Sequence, residues 1–538
     1  MSRNPTWSQR EATAAFLCAL GCLALPVALV HWPPLLDYPN HYARMWLLSG
    51  GVHVYPLSTM YQVTWHNAFT NIGIDVIAFV AGRVLPIQLV AHSLVVAAVA
   101  LPPLGAHCLN RRIFGGAHWW HVAFVILAWD YTLAAGFLNF QIGLGLALLG
   151  AAIDPVFSRR SKTARVAATL FFGALTLFVH AFAFVFYAAL VAALAIGPTL
   201  EPTKSLRAVG RGMTRVAAAC WPLLALLVLF LSLAPKLPGS EGSQVLIRWQ
   251  DPGKLGYALA TAFMTYRPVV DVLFAFGFAL PVVIAAATRR LDTHTGLLLV
   301  ATLFAILSNF MPAELGHTAL IDKRLPPMAV FTFAAAVRPA LPDSTRWQRG
   351  VLLLMWLAAT ARTAWVSRIW LARQSDFSSL ERALKAIPSG AAVLPLQHGA
   401  SAQERRWAPT GRYFLRNAPN YWQLPVLAVV ERHAFVPTLF TAAGKQPIRV
   451  LPPWDEIAVP EGPLADVNQI VEPLAVRRFP YLADWRNRFD FVLVVNADIP
   501  NESGPMPSLP ELRLISDQGF ARLYEIKRHV KALPLGTE

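Results

Sequence analysis

His31-Trp-Pro-Pro-Leu-Leu-Asp37-Tyr-Pro-Asn40-His41-Tyr-Ala-Arg44 follows directly on an apolar run over residues 12–32, and its reading decides the fold. The run has the length of one membrane crossing. Pro33 and Pro34 stop it from continuing as a regular helix. From Asn40 onward the pattern is helical again, and Asn40, His41 and Arg44 share one face at i, i+1 and i+4. Asp37 sits in the turn above that face. An acid, an amide, an imidazole and a guanidinium therefore gather where a span surfaces into water.

The rest of the chain agrees with a membrane reading. It has 538 residues, 56% hydrophobic and only 14% charged, with a mean hydropathy of +0.47. Soluble chains carry roughly 25% charged residues. The net charge of +16 does not point to nucleic acid. The basic residues cluster in short loops between apolar runs, the distribution that orients a polytopic membrane protein. Cys18, Cys22, Cys108 and Cys220 lie in or beside apolar segments, which argues against a disulfide framework or a zinc site.

Arg3 and Arg10 put the N-terminus in the cytoplasm, and residues 12–32 read as an uncleaved first span. A long outer loop follows over 33–86. Within it, residues 69–85 are apolar but hold Asp75 and Arg83, which predicts an interfacial helix rather than a span. Further spans are expected at 88–108, 118–136, 138–156, 216–234, 269–287, 295–311, 326–341 and 350–367. The apolar run 166–197 is too long for one crossing, and His180 divides it into two. About eleven spans result. The inner loops then carry Arg111 and Arg112, Lys162 and Arg165, Arg211 and Arg215, Arg289 and Arg290, and Arg346 and Arg349. Trp119 and Trp120 read as interface-belt residues.

The fold class expected is an α-helical polytopic membrane domain over 1–367, followed by a smaller extracytoplasmic α/β domain over 368–538. In the latter, residues 376–387 have a short helical pattern with Asp376 as N-cap, stopped by Pro388-Ser-Gly390. Residues 391–396 and 489–496 read as buried strands, and 512–526 as a hairpin turning at Asp517-Gln-Gly. The segment 430–450 has no interpretable pattern.

In this topology the polar residues attached to spans lie near outer ends. They include Asp37, Asn40, His41, Arg44, Asp130, Asn139, His180, His317, Lys323 and Arg324, while mid-span positions are mainly Leu, Ala, Val and Phe. A transporter needs a site near the midplane. Polarity at one face instead suits chemistry at the depth of a lipid headgroup. Asp37 is a candidate general base or metal ligand, because a carboxylate beside apolar surroundings and a histidine has a tunable pKa. Its plainer role is to pair with Arg44 and cap the next helix. Lys323 and Arg324 suit a phosphate, the first as a point charge and the second through bidentate hydrogen bonds. Asn139, in Gly-Phe-Leu-Asn-Phe, reads as a cap of the 138–156 span or a site residue.

This pattern resembles the GT-C class of membrane glycosyltransferases, which generally move a sugar from a polyprenyl-phosphate carrier on the outer face. The resemblance rests on the inward N-terminus, the acid in a long first outer loop, the many spans, and Lys323-Arg324-Leu325-Pro326 at the start of a late span. It implies that Asp37 is catalytic or holds a divalent cation such as Mg or Mn. It implies that Lys323 and Arg324 meet the donor phosphate. Asn40, His41, Arg44, Asn139 and His317, read from their placement near outer span ends, are candidates for substrate binding. Partners would be membrane lipid, a polyprenyl-phosphate-linked sugar and an envelope acceptor. A lipid or solute transporter and a non-catalytic envelope-assembly protein are the alternatives.

Overall fold

Apolar runs dictate most of the helices of the computed structural model. It describes residues 9–158, 161–200, 206–234, 247–249, 257–315, 318–340, 345–414, 418–459 and 463–527. Among them, seven helices are long and apolar enough to cross a membrane: Gln9–Ala28, Ile87–Phe114, Lys162–Val179, Ala181–Thr199, Val209–Leu233, Pro268–Ala287 and Arg346–Leu384. Leu138–Ile153 and Thr295–Phe310 are shorter apolar helices. This is the helix content of a membrane-embedded protein. The break expected at His180 is present: its backbone is extended (φ −167°), and Nδ1 accepts a hydrogen bond from the Phe182 amide.

Close packing rests on small residues. The Ile87–Phe114 and Leu138–Ser158 helices approach at Gly105 and Gly145. A Cβ on Gly145 would stand 2.4 Å from that of Leu101, and one on Gly105 would stand 2.7 Å from the Gly145 carbonyl oxygen. Glycine lets two backbones meet where apolar area alone gives no drive for association in lipid.

Two expected elements differ. Residues 118–136 do not form a straight span but two short helices, His121–Ile126 and Tyr131–Ala134, buried throughout. Asp130 causes the break. Its backbone is extended, and its carboxylate accepts from the Leu133 amide, the Thr132 hydroxyl and Gln141 Nε2. Trp119 and Trp120 are accordingly buried rather than in a belt, and Trp120 Nε1 donates to the Ala334 carbonyl. Secondly, the span expected at 350–367 and the helix expected at 376–387 are one helix, Thr345–Leu384, of 40 residues. No proline or glycine interrupts residues 351–387. Asp376 is not a cap but accepts two hydrogen bonds from Arg412 and one from Arg373. The Gly73–Ala81 helix, nine residues long, is too short to cross a membrane.

The expected strands form a five-stranded sheet ordered 465–466, 393–397, 491–495, 521–526, 512–517. The 393–397 strand is parallel to both neighbours, and the 512–526 hairpin closes one edge antiparallel. Both central strands are buried on both faces, as a covered parallel pair requires. The C-terminal region is joined to the segment between the first two long helices by strand 61–63, which pairs antiparallel with 448–450.

Candidate functional site

The first helix ends at Ala28, and the Trp32-Pro33-Pro34 segment beyond it is held from the far end of the chain. Trp32 exchanges backbone hydrogen bonds with the Gln374 side chain and donates from Nε1 to Glu381. Asn420 donates to the Pro34 carbonyl. The chain then turns at Leu36 and Asp37 beside the 134–136 turn, with the Leu36 and Asp37 amides donating to the Ala134 and Ala135 carbonyls. Gly136 has φ +83°, and a Cβ there would stand 2.7 Å from the Asp37 nitrogen. Glycine is therefore required for Asp37 to lie where it does. Gly136→Ala is expected to displace the Asp37 backbone at a stability cost of about 1–3 kcal/mol. Thermal midpoints of the two proteins check this, and an unchanged midpoint would refute the placement.

Asp37 opens the Tyr38–Leu48 helix, and the three residues read on one face take different partners. Asn40 faces the C-terminal region. Its amide donates to Gln423 Oε1 at 2.6 Å, and its oxygen accepts from the Phe440 amide at 2.7 Å. Arg44 does not pair with Asp37. It makes a bidentate pair with Asp75, at 2.6 and 3.2 Å, both side chains being buried. The same guanidinium donates to His41 Nδ1 at 3.1 Å, and His41 also hydrogen-bonds to the Gly136 backbone.

Burial and the adjacent Arg44 cation push the His41 imidazole well below its ordinary pKa. The folded state thus holds this ring neutral where the unfolded chain would protonate it. Stability is retained above about pH 6.5 and falls below it, by about 1.4 kcal/mol per pH unit for this group. His41→Gln is expected to shallow the loss of thermal midpoint between pH 7 and pH 5. An unchanged slope would show that the ring does not carry it.

Asp37 and His41, but not Asn40 or Arg44, border a cavity of about 410 Å³. Asp37 and His41 line one wall, Phe137, Asn139 and His180 a second, and residues 318–320 with Arg324 a third. The segments at 36–41, 137–140, 180–182 and 318–324 all lie at or beside helix ends. Asn139 has its side chain committed to backbone: it accepts from Ile74 N and donates to the Asn71 carbonyl. It therefore caps the Gly73–Ala81 helix rather than the helix that carries it.

Lys323 and Arg324 separate. Lys323 pairs with Asp322 at 2.8 Å and lies 5.6 Å from the centroid of the Tyr257 ring. Arg324 turns into the cavity between the Phe137 and Phe182 rings, at 4.6 and 5.2 Å from their centroids. Its Nη1 donates to the Ala319 carbonyl, while Nε is buried with no hydrogen-bond partner among the described residues. Arg324 also interacts electrostatically with Asp37, Asp322 and Tyr131. His317 lies outside the described residues.

Sequence reasoning missed the fourth wall. Trp422, Gln423, Phe440, Lys445 and Gln446 close the cavity from the C-terminal region. The uninterpretable segment 430–450 is thus part of the site. Its sequence mixes apolar and polar residues with no periodicity of its own, so nothing in it marked a site.

The lining does not fit a resident divalent cation. Asp37 is its one carboxylate among the described residues, and the Arg324 cation interacts with it. Nor do the described residues contain a group of three or more His, Cys, Asp or Glu suited to a metal. A hard cation prefers several oxygen ligands. The lining suits an anion held by Arg324 beside an acid able to take a proton.

The fold and cavity together define a chain of membrane-type helices with a largely apolar pocket at their ends that holds a few charged and polar groups, closed by a sheet-containing region. No family model and no curated protein matches the chain.

Proposed function

We propose that this protein is a membrane glycosyltransferase of the GT-C type, which moves a sugar from a polyprenyl-phosphate carrier to an envelope acceptor. On this reading the chain makes about eleven spans of the plasma (inner) membrane. The N-terminus is cytoplasmic, and the C-terminal region and the cavity are outside. The observation that carries it is the meeting of Asp37, from the first outer loop, with Arg324, some 290 residues later, in one cavity at the helix ends.

The chemistry follows from the two groups. The acceptor hydroxyl attacks the anomeric carbon, and Asp37 takes its proton as the new carbon–oxygen bond forms. The bond from that carbon to the phosphate oxygen breaks, and the electron pair leaves with the polyprenyl phosphate. Arg324 meets the charge that grows on that phosphate. Its buried Nε and rigid fork, fixed between two aromatic rings, are preorganised for this. His41, held neutral by Arg44, keeps the Gly136 turn and hence Asp37 in place. Gathering the polar groups at one end of the helices favours this reading over a midplane transporter.

The test is mass spectrometry of envelope glycans and lipid-linked intermediates. A deletion strain complemented with wild type is compared with one complemented with Asp37→Asn at matched expression. Loss of a sugar from a glycan, with accumulation of its lipid-linked donor, is the expected result. Matching profiles in the two complemented strains would rule out transfer through Asp37.

A further inference from the structure

A second recess, of about 330 Å³ and sharing no lining residue with the cavity, lies where the C-terminal region meets the head of the Pro268–Ala287 helix. Arg267, Arg405 and Arg406 line it together with Thr410. Arg267 donates from Nε and Nη2 to the Thr410 hydroxyl, at 3.3 and 2.9 Å, which fixes the 401–411 loop to the start of that helix. None of the three arginines forms an ion pair among the described residues. Glu404, the acid of the loop, accepts from the Ser401 amide. Arg405 Nε is buried without a hydrogen-bond partner. Three guanidinium groups around one recess without a paired carboxylate repel one another unless an anion joins them.

The surroundings say which anion. Immediately below Arg267, Val269, Val272, Leu273, Phe276, Val283 and Ile284 form an exposed apolar stripe at helical spacing. Such a stripe belongs against lipid chains. Beside the arginines Trp407 is 82% exposed, and an indole at the boundary of an apolar helix and water favours the headgroup layer. Guanidinium forks match phosphate oxygens, and basic residues at this depth are drawn to anionic lipid.

We propose that this recess binds the phosphodiester headgroup of an anionic lipid in the adjoining leaflet, with Trp407 inserted beside it. The site anchors the C-terminal region to the membrane surface. It depends on the Pro268–Ala287 helix crossing the membrane and not on the transferase reading.

The test uses the purified full-length chain and measures retained phosphatidylglycerol against phosphatidylcholine by native mass spectrometry, with no reading of transfer activity. Wild type is expected to prefer phosphatidylglycerol. R267Q/R405Q/R406Q is expected to lower that preference about tenfold. R477Q/R478Q/R513Q, which removes the same charge from exposed positions elsewhere, is expected to keep it. Equal preference in wild type and the recess variant, or equal loss in both variants, would overturn the site. Displacement of the lipid from wild type by millimolar inorganic phosphate would assign the recess to a soluble phosphate and overturn the lipid anchor.

Discussion

On the proposed transferase reading, membranes carrying Asp37→Asn are expected to contain folded protein at wild-type level and to transfer sugar roughly 10²–10⁴-fold more slowly, the range lost with a general base. Asparagine keeps the size of the side chain. It cannot take the acceptor proton, and it removes the negative charge that interacts with Arg324. The donor should therefore still bind. In an assay with purified lipid-linked donor, the loss should fall on turnover far more than on donor KM. Arg324→Gln should show the complementary pattern, with weaker donor binding as well as slower turnover. A D37N protein with wild-type turnover would remove the acid from the chemistry and leave Asp37 as a turn residue only.

The largest stability effect is expected at Asp75. Asp75→Asn leaves the Arg44 guanidinium charged and buried, with Nη1 already lacking a hydrogen-bond partner. Removing one partner of such a pair costs about 3–5 kcal/mol, because the surviving charge has no compensation. The effect should reach the site, since Arg44 also orients His41, and His41 holds the Gly136 turn against which Asp37 lies. Replacing both partners, as Arg44→Met with Asp75→Leu, should recover much of the stability but not the orientation of His41. Thermal melts of the three variants in one detergent check this. A D75N midpoint equal to wild type would mean that the pair contributes nothing.

The C-terminal region also takes on a role that its strands do not suggest. It clamps the segment between the first two long helices through strand 61–63 and Asn40, and it supplies one wall of the cavity. Arg412 ties it to the long helix, with Asp376 on one side and Asp498 on the other. The Thr345–Leu384 helix thus passes continuously from apolar surroundings into the base of the sheet region.

What the sequence by itself determined is local. Apolar runs located the long helices, because burying or lipid-facing side chains must recur along one element. Pro33 and Pro34 located the turn that presents Asp37, and the pattern at 491–495 and 512–526 located the central strand and the hairpin. The tertiary structure decided which polar groups meet. Asp75 rather than Asp37 takes Arg44. Arg324 enters the cavity while its neighbour Lys323 pairs with Asp322. Asn139 is spent on the 71–74 backbone, and residues 422–446 complete the site. Periodicity reports which face of an element is buried. The partner of a buried charge is set by distances of a few ångströms between elements far apart in the chain, and no spacing along the sequence encodes those.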